Sequence, residues 1–119
     1  MQYKIVEADG DRGPYKVKMT SYRYGIEDRR GKEILSYDWH PNTGMLSPHL
    51  HLHVPTSIPP IVDFHKKHLP TGRVSIEQIL RLTVEEFGVR PIRKDWGKIL
   101  SDAQGQFEKW RTWHYCPKP

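Results

Sequence analysis

The sequence predicts an α+β fold: an antiparallel sheet of four or five strands, followed by two C-terminal helices packed on one face. Two observations carry this. Residues 1–60 alternate apolar and polar side chains between turn-rich stretches, and beyond residue 75 the apolar spacing changes to three and four, the helical period. A chain of 119 residues supports one core, so residues 1–119 are read as a single domain. Within it, 1–60 is mainly β, 61–74 a loop, 75–114 mainly α and 115–119 a flexible tail.

The elements follow in order. Gln2 to Glu7 alternates as a short strand, and Ala8 to Pro14 is turn chemistry. Tyr15–Ile26 and Glu33–Trp39 are rich in β-formers; between them Asp28-Arg29-Arg30-Gly31 is a hairpin loop with glycine where a left-handed residue is wanted. Tyr22 and Tyr24 share one strand face, as Leu35, Tyr37 and Trp39 share another, which is cross-strand aromatic packing. Pro41-Asn42-Thr43-Gly44 turns the chain into a strand at His49–Val54, which ends at Pro55 to Pro60 because proline cannot donate to a ladder. Ser75-Ile76-Glu77-Gln78 matches a capping box. Ile76, Ile79, Leu80, Val84 and Phe87 continue it at helical spacing to a stop at Gly88. A second helix starts with Asp95 as N-cap and carries Trp96, Ile99, Leu100, Ala103, Phe107 and Trp110 on one stripe, core residues first.

Composition narrows the function. Hydrophobic residues at 36% and charged residues at 28% describe a folded domain. No apolar run approaches the roughly 18 residues of a membrane span, and Met1 to Glu7 lacks the apolar region of a signal peptide, so no membrane association and a cytoplasmic location are expected. The single cysteine, Cys116, forms neither an internal disulfide nor a thiolate metal site. A net charge of +5 with a pI of 9.4 favours a polyanionic partner and gives mild support for nucleic acid. The basic residues are dispersed, with local concentrations at Arg29–Lys32, Lys66-Lys67 and Arg90–Lys98 that also suit a solvated surface.

The chemistry concentrates in His49-Leu50-His51-Leu52-His53-Val54, which alternates strictly and so sets three imidazoles on one face of a strand and three aliphatic groups on the other. Same-face neighbours lie roughly 6.5–7 Å apart, close to the span of an acid and a base on opposite sides of one phosphorus. His49, His51, His53 and His68 are therefore the candidate catalytic residues. Arg73, with Thr71 and Gly72 in the turn before the first helix, is the candidate phosphate site. The expected mechanism is metal-free RNA cleavage: one imidazole takes the 2′-hydroxyl proton, another protonates the leaving oxygen, and Arg73 balances the developing charge. No cofactor and no metal are assigned. Two alternatives stand beside it. The histidines form a merely polar strand face, or two of them share a zinc with a third ligand from His68, His40 or Asp38; His49 and His53, about 13 Å apart on a straight strand, cannot join one ion.

His49-x-His51-x-His53 also resembles the motif of the histidine-triad nucleotide hydrolases over six or seven residues, keeping His51 as a candidate nucleophile. In that family the motif follows a nucleotide-binding helix near the C-terminus. Here it precedes both helices, which makes the likeness a local coincidence.

A broader resemblance spans residues 22 to about 87. Tyr22-x-Tyr24, then Asp28, Gly31 and Tyr37-Asp38, then Pro48-His49-Leu50-His51, then the Ser75-Ile76-Glu77-Gln78-Ile79-Leu80 helix together resemble the TumE-type toxins of bacterial toxin–antitoxin systems. The resemblance implies a toxin or defence component that acts on RNA, paired with a cognate antitoxin protein that has a DNA-binding domain; a homodimer is a separate expectation. The long aromatic C-terminal helix and the His68-Leu69-Pro70-Thr71-Gly72-Arg73 segment depart from that pattern. A non-catalytic partner- or nucleic-acid-binding protein is the rival reading. A metal-dependent or histidine-triad-like phosphoester hydrolase is the third.

Overall fold

The computed structural model describes residues 1–10, 13–43, 45–53 and 66–111. Five strands form one sheet in chain order, β1 (Gln2–Gly10), β2 (Gly13–Glu27), β3 (Glu33–His40), β4 (Met45–Leu52) and β5 (Leu69–Pro70), with every neighbouring pair antiparallel. Two helices follow, α1 (Ile76–Glu85) and α2 (Trp96–Trp110), as the change of apolar period predicts. None of the helices is long and apolar enough to cross a membrane, among the described residues.

Most turns follow local chemistry. Gly31 takes a φ of 78° in the β2–β3 hairpin, where Asp28 Oδ1 accepts from the backbone N–H groups of Arg30 and Lys32. The first strand runs three residues further than its alternation suggests, to Gly10; the hairpin tip at Asp11 and Arg12 lies outside the described residues, as do Val54 to Pro60 and the tail at 115–119. One correction concerns residues 61–74, read as loop throughout: Leu69–Pro70 pairs with His49–Leu50 as a fifth strand. Two residues ending in proline give no alternation to read, and proline is tolerated at the sheet edge because its missing donor faces away.

Register decides which side chains share a face. Tyr24 pairs with Tyr37 and Tyr37 with Leu50, while Arg23 pairs with Asp38 and Asp38 with His49. Tyr22, Tyr24 and Ile79 make the buried core, with Met19, Tyr37, Trp39 and Val74 packed against it. Because Ile79 belongs to α1, the helices cover the tyrosine face, and the histidines occupy the other. Met19 reaches the tyrosine face despite its odd number. The pairing steps from Gln2–Ser21 to Tyr3–Met19, leaving Thr20 as an extra residue that reverses the alternation of β2. Pro48 turns its carbonyl to the Thr71 N–H on the β5 side, just past the last β4–β5 pair at His49–Pro70, so its absent N–H faces the short edge strand and takes no bond from the β3–β4 ladder.

The helices are anchored by polar contacts as much as by burial. Ser75 and Gln78 form the expected reciprocal capping box on α1. Asp95 is the N-cap of α2 but makes no capping bond. Arg93 Nε and Nη2 each hold one of its carboxylate oxygens at 3.0 Å, a closer partner than the helix N–H groups. Contrary to the core assignment of its stripe, α2 has no fully buried residue; Phe107 instead receives the Arg73 guanidinium, 4.7 Å from its ring centre. Within the core, burial pushes the Tyr24 phenol up to about 12, helped by neighbouring Tyr22, and Tyr22 is raised for the same leading reason. Both folded-state values lie above the ordinary 10.0, so the stability that depends on these neutral phenols is present below pH 10 and is lost as the pH climbs toward 12.

Candidate metal centre

On the face away from the helices, β4 contributes His49 and His51 through its alternation, and the residue preceding β5 is His68. Pairing of His49 with Pro70 draws that third imidazole over the first two. Ring centres lie 4.9 Å apart for His49 and His51, 4.8 Å for His49 and His68, and 4.8 Å for His51 and His68, with interplanar angles of 83°, 73° and 70°. One nitrogen from each ring falls within 4.8 Å of the others. Three imidazoles bound to one tetrahedral ion by bonds of about 2.0–2.1 Å have ring centres roughly 5 Å apart, so this triangle has the dimensions of a three-histidine site.

The same numbers argue against a straddled phosphate. His49 and His51 stand closer than the roughly 6.5–7 Å repeat of same-face strand residues, so the rings lean together and leave no phosphorus-sized gap between them.

Burial grades across the cluster from His49, 4% exposed, through half-buried His51 to exposed His68, so it opens toward solvent on the His68 side. His49 Nδ1 lies 3.0 Å from the Ser47 carbonyl. A carbonyl only accepts, so Nδ1 carries the proton and Nε2 keeps its lone pair for an ion, the usual second contact of a ligating histidine. His68 has its pKa lowered, first by desolvation and then by the neighbouring His49 and His51, with Asp38 opposing. Lowering favours the neutral imidazole, the form that ligates.

Carboxylates surround the cluster without entering it. Asp38, 8% exposed, places Oδ2 3.8 Å from His51 Nε2 and Oδ1 3.8 Å from Arg23 Nε. Arg23 also bonds Glu33, whose other oxygen is 2.6 Å from His53 Nε2. His53 is therefore directed to Glu33 rather than to the trio. Gly25 makes this arrangement fit, since a Cβ there would lie 3.2 Å from Glu33 Oε1. Among the described residues, the buried Ser36 Oγ, on the strand position opposite His51, has no hydrogen-bond partner.

Arg73, Thr71 and Gly72 serve different neighbours. Thr71 donates its N–H to the Pro48 carbonyl at 3.0 Å and its hydroxyl to the Gly72 carbonyl at 2.9 Å, which joins β5 to β4. Arg73 is 8% exposed and packs against Phe107 on the tyrosine face, its pKa lowered chiefly by desolvation, with Tyr22 and Tyr24 opposing. Ser47 and Glu33 were not singled out by sequence. A serine acting through its main-chain carbonyl leaves no side-chain signature, whereas Glu33 pairs with Glu27 at the hairpin and so was traceable once register was known.

No protein-family model, no curated protein and no solved structure matches the chain.

Proposed function

We propose that the chain is a metal-dependent phosphoester hydrolase in which His49, His51 and His68 hold one zinc-like divalent ion. The observation that carries this reading is the mutual approach of three imidazoles at 4.8–4.9 Å, two from β4 and one from the residue before β5, with one side of the cluster open. Three protein ligands and an open position are the pattern of catalytic zinc. When bound, such an ion supplies Lewis acidity to water or to a phosphoryl oxygen. Ser47 fixes the tautomer of His49. Asp38 sits 3.8 Å from His51, where its carboxylate would offset part of the positive charge of a bound ion, and Arg23 lies 3.8 Å from its other oxygen. A toxin role against RNA, with an antitoxin as partner, is the cellular setting we attach to this chemistry, on the strength of the TumE-type pattern.

Cleavage of an RNA oligonucleotide separates this from metal-free acid–base chemistry. Activity should vanish in EDTA, return with zinc and tolerate a 2′-deoxy group at the cleaved position. Activity that persists in EDTA, leaves 2′,3′-cyclic phosphate ends and fails on the deoxy substrate would restore the acid–base pair. Absence of cleavage under every metal condition would leave a binding protein.

A further inference from the structure

A second concave site lies away from the histidine cluster, between the turn end of the β1–β2 ribbon and the C-terminal turn of α2. Its volume is about 580 Å³, and Tyr15, Lys16, Lys109, Trp110 and Arg111 contribute most of its chemistry. The groove thus combines three cations with two aromatic rings, and no acidic residue lines it among the described residues. Tyr15 is 64% exposed, so its ring is presented rather than packed. Trp110 is held by its own helix, its indole N–H donating to Gln106 Oε1 at 3.1 Å, and its edge approaches Gly10, where a Cβ would come within 4.0 Å. Lys109 Nζ stands 4.9 Å from the centre of that indole.

We infer that this groove binds single-stranded polynucleotide, the cations following the phosphates and Tyr15 and Trp110 offering surfaces for bases. Cations interleaved with rings match how strands are held without sequence reading, since every base has a stackable face and every linkage a charge. A small acidic metabolite would use the cations alone, whereas here two aromatic rings share the lining with them, as bases beside phosphates require. The inference deepens the proposed hydrolase by locating where its polynucleotide substrate is held, and rests on that reading for its catalytic consequence. Eight residues of β2 separate Tyr15 from Arg23, beside the histidine cluster, or roughly 26 Å at the rise of a strand. A ligand that engages both places has to be a polymer.

The test uses the full chain with fluorescein-labelled oligo-uridine and oligo-thymidine, followed by anisotropy across a salt series. Three phosphate contacts predict a slope of log K against log salt of roughly −2. Tyr15→Ala should weaken binding by about 5- to 150-fold, the range of one lost base stack. Lys16→Glu should weaken it as well and make the slope shallower. Equal affinity for the two oligonucleotides assigns the site to strands in general; preference for uridine assigns it to RNA. In turnover assays the same variants should raise KM for long strands and leave kcat, and hydrolysis of bis(p-nitrophenyl) phosphate, unchanged. Unaltered binding and KM in both folded variants would overturn the groove while leaving the metal centre standing. Loss of small-diester hydrolysis in the wild type would instead count against the hydrolase and not the groove, whose binding is read separately.

Discussion

Replacing His51 by glutamine should reduce hydrolysis by at least about 10³-fold, because the several kcal/mol of Lewis-acid stabilisation depart with the ion. His49→Gln and His68→Gln should produce losses of similar size. An acid–base pair predicts a different pattern: two positions cost 10²–10⁴-fold and the third little. Equality across the three positions is thus the diagnostic feature, more than the size of any one loss. His53→Gln is the internal control, since its imidazole is committed to Glu33 at 2.6 Å and should affect the rate less. Circular dichroism and thermal melting should show the His51 and His68 variants folded, since neither residue is fully buried, and they serve as the reference for the buried His49. A strong loss at His51 with near-normal turnover in His68→Gln would contradict the three-ligand centre.

The second large effect concerns stability. Tyr22 is fully buried, stacks on Tyr24 with ring centres 4.8 Å apart, and accepts the Val74 N–H at 3.1 Å. Tyr22→Ala should cost about 3–5 kcal/mol in urea unfolding, by lost burial and the cavity left behind. That is a large share of the roughly 5–15 kcal/mol that holds a domain together. Tyr22→Phe keeps the ring but strands a backbone donor just ahead of α1, for about 1–3 kcal/mol. Similar midpoints for the Tyr22→Phe variant and the unaltered protein would show that the Val74 bond contributes nothing. The alanine variant should also weaken ion binding, since Val74 continues the segment that carries His68 to β4.

Local pattern carried most of the architecture and part of the site. Alternation from His49 to His53 placed the imidazoles opposite Leu50 and Leu52, and the capping box marked the start of α1 within a residue. What local pattern does not encode is where distant segments meet. His68 was a candidate by residue type, yet its approach to His49 depends on the pairing of Leu69–Pro70, too short to show a period. The Gly-Arg turn suggested an anion site, but Arg73 has its cation–π partner in Phe107, far along the chain and on the opposite face from the histidines. Asp95 was read from helix-start chemistry that Arg93, two residues earlier, takes away from the helix. The α2 stripe was amphipathic as expected, yet periodicity reports a preferred face and not how completely it is covered.

The most direct measurement is X-ray absorption at the zinc edge on protein loaded with one equivalent of zinc. The three-histidine centre predicts three imidazole nitrogens at about 2.0–2.1 Å with the remaining position taken by a light atom, and loss of one imidazole contribution in His68→Ala. No tight zinc at one equivalent, or a first shell of oxygens that His68→Ala leaves unchanged, would contradict it.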